Sequence, residues 1–120
     1  MNTKTLGDRG EARAESYLRK TGCKIVFRNY RLRFGEIDLI YFDAETLVFG
    51  EVKYRLTNRY GTPSEAVTPH KVRKILITAS QFLQEHPSYR DAPVRFDIIC
   101  VSKQVRWLKD SFNNECLILD

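Results

Sequence analysis

Four charged residues stand inside two otherwise apolar stretches: Glu36 and Asp38 in GEIDLIYF, and Glu51 and Lys53 in TLVFGEVKY. Charges in such stretches cost free energy unless they are paired or hold a metal. Together they read as the parts of a metal-dependent phosphodiester hydrolase. Two neighbouring carboxylates, Asp38 and Glu51, repel unless something neutralises them, and oxygen ligands suit Mg²⁺ or Mn²⁺. Mg²⁺ commonly takes one or two carboxylates, keeps several waters and completes its shell with substrate phosphate. Lys53 follows Glu51 by two residues, about 6.6 Å along the same strand face. An ammonium there can stabilise a phosphorane-like transition state or orient a water on the metal. Glu36 can hold Lys53 by ion pairing, and Glu11, from an upstream helix, can add a further metal contact. The plain structural alternative is a Glu36–Lys53 ion pair, which leaves Asp38 facing Glu51 unless an arginine reaches in.

Positioning these groups requires a hairpin of defined register. Residues 36–43 and 47–54 read as strands, with Ala44-Glu45 as the turn centre. A two-residue loop sets Asp43 opposite Thr46. Counting back sets Asp38 against Glu51 and Glu36 against Lys53, with opposed Cβ atoms about 4.5–5.5 Å apart. The period of two groups Glu36, Asp38, Ile40 and Phe42 with Leu47, Phe49, Glu51 and Lys53 on one face. Ile37, Leu39, Tyr41, Val48, Gly50 and Val52 take the other. Both faces are largely apolar, so helices must cover both sides of the sheet.

The flanking segments supply those helices. A first helix is expected over residues 5–21, with Gly7, Glu11, Ala14 and Leu18 on one face and Gly22 just past its end. That pattern places Glu11 toward the core. Residues 24–30 read as a strand, and residues 31–35 as a turn or short loop. Thr68-Pro69 opens a second helix as N-cap and first turn, Val72, Ile75, Leu76, Ala79, Phe82 and Leu83 form its stripe, and His86-Pro87 ends it. Residues 94–101 and 105–108 are the last strands. The expected fold is α/β: one domain over residues 1–120, a mixed sheet of about five strands, and helices on both faces in the order α-β-β-β-α-β-β.

Composition narrows the setting. The chain has 120 residues, 42% hydrophobic and 29% charged, which suits one packed domain rather than a disordered segment. No run of about 18 apolar residues occurs, so no membrane span is expected. The polar N-terminus lacks an apolar signal core, which implies a cytoplasmic protein. Cys23, Cys100 and Cys116 form no C-x-x-C pair and read as small buried hydrophobes. Net charge is +5, compatible with a nucleic-acid partner. The basic residues cluster on either side of the acid-bearing stretch: Arg28, Arg31 and Arg33 before it, then Arg55, Arg59, Lys71, Arg73 and Lys74 after it. Arg31, Arg33, Arg55, Arg59, Lys71 and Lys74 are the expected phosphate contacts.

The order Asp38, twelve intervening residues, then Glu51-Val52-Lys53 resembles the PD-(D/E)XK nuclease superfamily, whose fold is the three-layer restriction-endonuclease-like core. A preceding helix carrying Glu11 is similar to archaeal Holliday junction resolvases. GDRGEARAESYL, GEIDLI, EVKYR, YGTPSEAV and RFDII resemble the bacterial YraN-like family, over Gly7 to Val101. The resemblance implies a Mg²⁺- or Mn²⁺-dependent endonuclease acting on DNA, branched or structured DNA among its substrates. Asp38 and Glu51 would be the metal-binding acids, Lys53 the catalytic lysine, Glu11 the helix acid, and a homodimer the cutting form. Ile37 stands where the superfamily has a proline. Gly50 precedes Glu51 where a bulky apolar residue is usual, which implies looser packing. Asp97 in RFDII reads as a structural partner for an arginine. A non-catalytic nucleic-acid-binding module and a protein-interaction scaffold are the competing readings.

Overall fold

A computed structural model describes residues 3–54 and 68–112, with side chains from Arg9 onward. Helix α1 (Thr3–Lys20) ends where Gly22 takes φ 98°. The Gly22 N–H donates to the Arg19 carbonyl and the Cys23 N–H to the Leu18 carbonyl, the paired closure that a left-handed glycine permits. Strands β1 (Lys24–Leu32), β2 (Gly35–Asp43) and β3 (Thr46–Tyr54) follow, then helix α2 (Pro69–Glu85), a 3₁₀ turn (Pro87–Tyr89), β4 (Val94–Val101) and β5 (Val105–Leu108). Thr68 caps α2 as its residue type predicts, accepting the Lys71 N–H at 3.2 Å. β1 runs two residues beyond the expected end, because Arg31 and Leu32 pair with Glu36 and Gly35. Only Arg33 and Phe34 are left to make the turn.

The strands form one sheet in the order β1-β2-β3-β4-β5. All neighbours are antiparallel except β3 and β4, which are parallel and joined through α2. α1 covers one face with Ala14 and Leu18 against Leu39, Tyr41, Val48, Ile99 and Val101. α2 covers the other with Val72, Ile75, Ala79 and Phe82 against Ile40, Leu47, Phe49 and Ile98. The result is the three-layer α/β arrangement expected from the apolar faces. No described helix is long and apolar enough to cross a membrane.

Two expectations are corrected. Ile37 packs in the α2 layer, although alternation groups it with Leu39 and Tyr41 under α1. The strict period therefore fails at Asp38. Gly50 does not loosen the sheet: a Cβ there would lie 3.0 Å from both Ile99 Cδ1 and Tyr41 Cε1. Glycine lets the Tyr41 ring close directly onto β3.

Candidate active site

The site forms where β2 and β3 part. Their ladder follows the counted register from Asp43–Thr46 to Leu39–Gly50 and then stops. Beyond that point Asp38 Oδ2 accepts the Val52 N–H at 2.8 Å, while β3 continues along β4 as far as Tyr54 and Val101. On the other side of Asp38, Asn29 adopts φ 51° between the pairs Arg28–Leu39 and Tyr30–Ile37. Asparagine tolerates that left-handed conformation better than most residues. The expected cross-strand pairs Asp38–Glu51 and Glu36–Lys53 are therefore not ladder pairs. Glu36 is exposed and paired with Arg31, its neighbour across β1, so it does not hold Lys53.

Asp38 and Glu51 are both buried, at 7% and 6% exposure. Burial pushes the Asp38 carboxyl up, and the Glu51 charge adds to it; the Val52 N–H opposes both, and Glu11 and Glu36 add smaller repulsions. The net result is a pKa of about 8. Glu51 continues the α2-facing row of Leu47 and Phe49. Its Oε1 lies 3.3 Å from Lys53 Nζ and 2.5 Å from Lys71 Nζ, which reaches down from the first turn of α2. Burial lowers the Lys53 pKa, and a hydrogen bond with Lys71 lowers it further, against the pull of Glu51. Burial also lowers Lys71, but hydrogen bonds to Glu51 and Lys53 and the charges of Glu51 and Asp38 outweigh it, so the net shift is upward.

The fold thus gathers Asp38, Glu51, Lys53 and Lys71. Glu11 is partly buried on the α1 side and near enough for its charge to act on Asp38. Gly10 beside it lets α1 approach closely, since a Cβ there would meet Tyr54 Cδ2 at 2.8 Å. Glu11 does not complete a three-acid cluster; among the described residues no group of three His, Cys, Asp or Glu is arranged to hold a metal. Two carboxylates are nevertheless within the usual Mg²⁺ pattern, in which waters and substrate phosphate supply the remaining ligands.

Lys71, expected as a phosphate contact, is brought onto Glu51 in the site. The signal in the sequence was its place three residues after a helix N-cap, directly following β3 in the βαβ unit. Arg33 and Lys74 line a surface hollow with Arg31. Arg28 is committed to Glu15. Arg55 and Arg59 lie outside the described residues. Asp97 is structural, as expected: fully buried, it accepts from Arg95, Tyr41, Trp107 and the Asp110 N–H, on the face opposite Glu51.

Comparison with known proteins identifies the family. The model of "Uncharacterised protein family UPF0102" matches residues 10–101, a span that contains all four gathered side chains. A UPF0102 protein of Methylobacillus flagellatus is 44% identical over 114 residues, covering 92% of this chain and 98% of the relative. One from Shewanella oneidensis is 41% identical over 109 residues, covering 90% and 99%. The chain belongs to this uncharacterised, YraN-like bacterial family.

Proposed function

We propose that the protein is a Mg²⁺-dependent nuclease that hydrolyses phosphodiester bonds of DNA. One observation carries the reading: two buried carboxylates, Asp38 and Glu51, stand at a strand divergence beside Lys53 and Lys71. A fold gains little stability from keeping two acids in such a place, whereas a buried carboxyl perturbed as Asp38 is belongs to the kind of group that gathers at functional sites. Asp38 and Glu51 would hold the ion, which would offset phosphate charge and make a water a better nucleophile. Lys53 donates to the oxygen on which charge develops. Lys71 contacts the Glu51 carboxylate from the first turn of α2.

The test is an activity screen with Mg²⁺ or Mn²⁺ over single-stranded, duplex, flap and four-way-junction DNA. Metal-dependent cleavage is expected, and its loss by at least about a hundredfold in Asp38→Ala and Lys53→Ala. Cleavage that survives both substitutions overturns the assignment. A second reading, a nucleic-acid-binding module without catalysis, is favoured by the two lysines already on Glu51 and the incomplete acid cluster. It predicts salt-sensitive binding with no cleavage in any metal.

A further inference from the structure

We propose that the basic hollow between the β1–β2 turn and α2 receives an unpaired nucleotide of the substrate strand, its base stacked on Phe34. This rests on the nuclease reading and deepens it by naming the substrate class: a strand with at least one unstacked base next to the cut. The hollow has a volume of about 600 Å³ and is walled by Arg31, Arg33, Phe34, Glu36 and Lys74. Three cations face one acid, and that acid is already engaged by Arg31. Arg33 and Lys74 make no ion pair among the described residues, so both can meet phosphate.

Phe34 is 46% exposed and belongs to no ring pair among the described residues, unlike Phe27, which packs on Phe82 and His86. A bare aromatic face beside cations that track a backbone is the arrangement that binds single strands, because every base offers a π-face. In an intact duplex those faces are covered by their stacked neighbours.

The hollow is packed against α2 and lies close in sequence to the acids. Gly35 presses against α2: a Cβ there would meet Thr78 Oγ1 at 2.5 Å and the Lys74 carbonyl at 3.2 Å. Lys74 follows Lys71 by three residues on α2, and Gly35 precedes Asp38 by three on β2, on the order of 10 Å of strand. A nucleotide in the hollow would deliver an adjoining phosphodiester to Asp38 and Glu51.

Binding is measured in EDTA, so that cleavage cannot intervene, with a duplex carrying a short single-stranded gap, the same duplex intact, and a single-stranded RNA of the same sequence. A 2-aminopurine in the gap reports stacking. Phe34→Ala should weaken gapped-DNA binding roughly tenfold and relieve the 2-aminopurine quenching, leaving the intact duplex almost unchanged. Phe34→Trp should retain both. Lys74→Ala should lower the salt slope by about one phosphate contact. RNA binding equal to that of the gapped DNA would assign the hollow to any unpaired strand; weaker binding would assign it to DNA. The inference fails if Phe34→Ala affects gapped and intact duplex equally, or neither. It also fails if its main effect is on self-association in sedimentation, which would make Phe34 a protein contact. Phe34-dependent gap binding without cleavage in Mg²⁺ or Mn²⁺ would uphold the hollow and overturn the nuclease reading alone.

Discussion

Glu51 is the residue on which the chemistry turns, because a metal ion and two ammonium groups compete for its carboxylate. Lys53 and Lys71 both contact Oε1, and a divalent ion must share or displace them. Lys71 is the displaceable one: its side chain is 40% exposed against 13% for Lys53, so leaving Glu51 returns it to water at small cost. Replacing Lys71 by alanine should therefore tighten Mg²⁺ binding by about tenfold, and it should lower metal-free stability by about 1 kcal/mol as Glu51 loses a partner. A Mg²⁺ titration followed by thermal shift reads both effects. A midpoint that stays put or rises would mean that Lys71 assists the ion rather than competing with it. The sequence marked Asp38, Glu51 and Lys53 through their misfit in apolar strands. Lys71 carried no such misfit: at the start of an amphipathic helix a lysine reads as solvated, and only the tertiary approach of α2 to β3 turns it inward.

At the level of elements, what was legible was whatever has a local cause. The Thr68 cap, the stripe of α2 and the 43–46 turn each follow from neighbouring residues, and so the register to Leu39–Gly50 follows too. What escaped depends on contacts far apart in the chain. The end of the β2–β3 ladder is set by Asp38 taking the Val52 N–H, and the change of side at Ile37 by the layer it packs in. Gly50 looked like slack and is a seat for Tyr41. The Tyr41 ring has no freedom to retreat, since its hydroxyl donates to buried Asp97 at 2.8 Å and accepts from Trp107 at 3.2 Å. Gly50→Ala should accordingly destabilise the fold by roughly 1 kcal/mol: overpacking costs about 1–3 kcal/mol, and relief of glycine's backbone entropy returns about 0.5–1 kcal/mol. Urea denaturation decides it. A variant as stable as the parent would show that Tyr41 and Ile99 yield, and that the close seat is incidental.

Across the whole molecule two sets of carboxylates pull the pH dependence of stability in opposite directions. Asp43 bridges β2 to β4 through Arg95 and to Lys109. The Arg95 hydrogen bond holds its pKa below the ordinary value against the opposing effect of burial, with Lys109 assisting. Glu15 is held down in the same way by Arg28 first, against burial, and with Arg19 assisting. For such depressed acids the folded state gains stability above the unfolded pKa, about 3.9–4.3, and loses it as pH falls through the lower folded value. Asp38 has the reverse sign. Its folded pKa of about 8 lies above the unfolded value, so its penalty is absent in acid, grows as pH rises from about 4, and is complete above about 8. In EDTA the protein should therefore be most stable near about pH 4–5 and soften toward pH 8. Asp38→Asn should flatten the alkaline side, with a Tm at pH 8 above the parent's by on the order of 5 °C. Mg²⁺ should raise the parent's Tm at pH 8, because the ion favours the ionised carboxylate, and should do little for Asp38→Asn. Parallel pH profiles for the two proteins, with equal Mg²⁺ shifts, would remove Asp38 from the metal site; divergence that closes when Mg²⁺ is added would tie the fold's weak point to the place where it binds the ion.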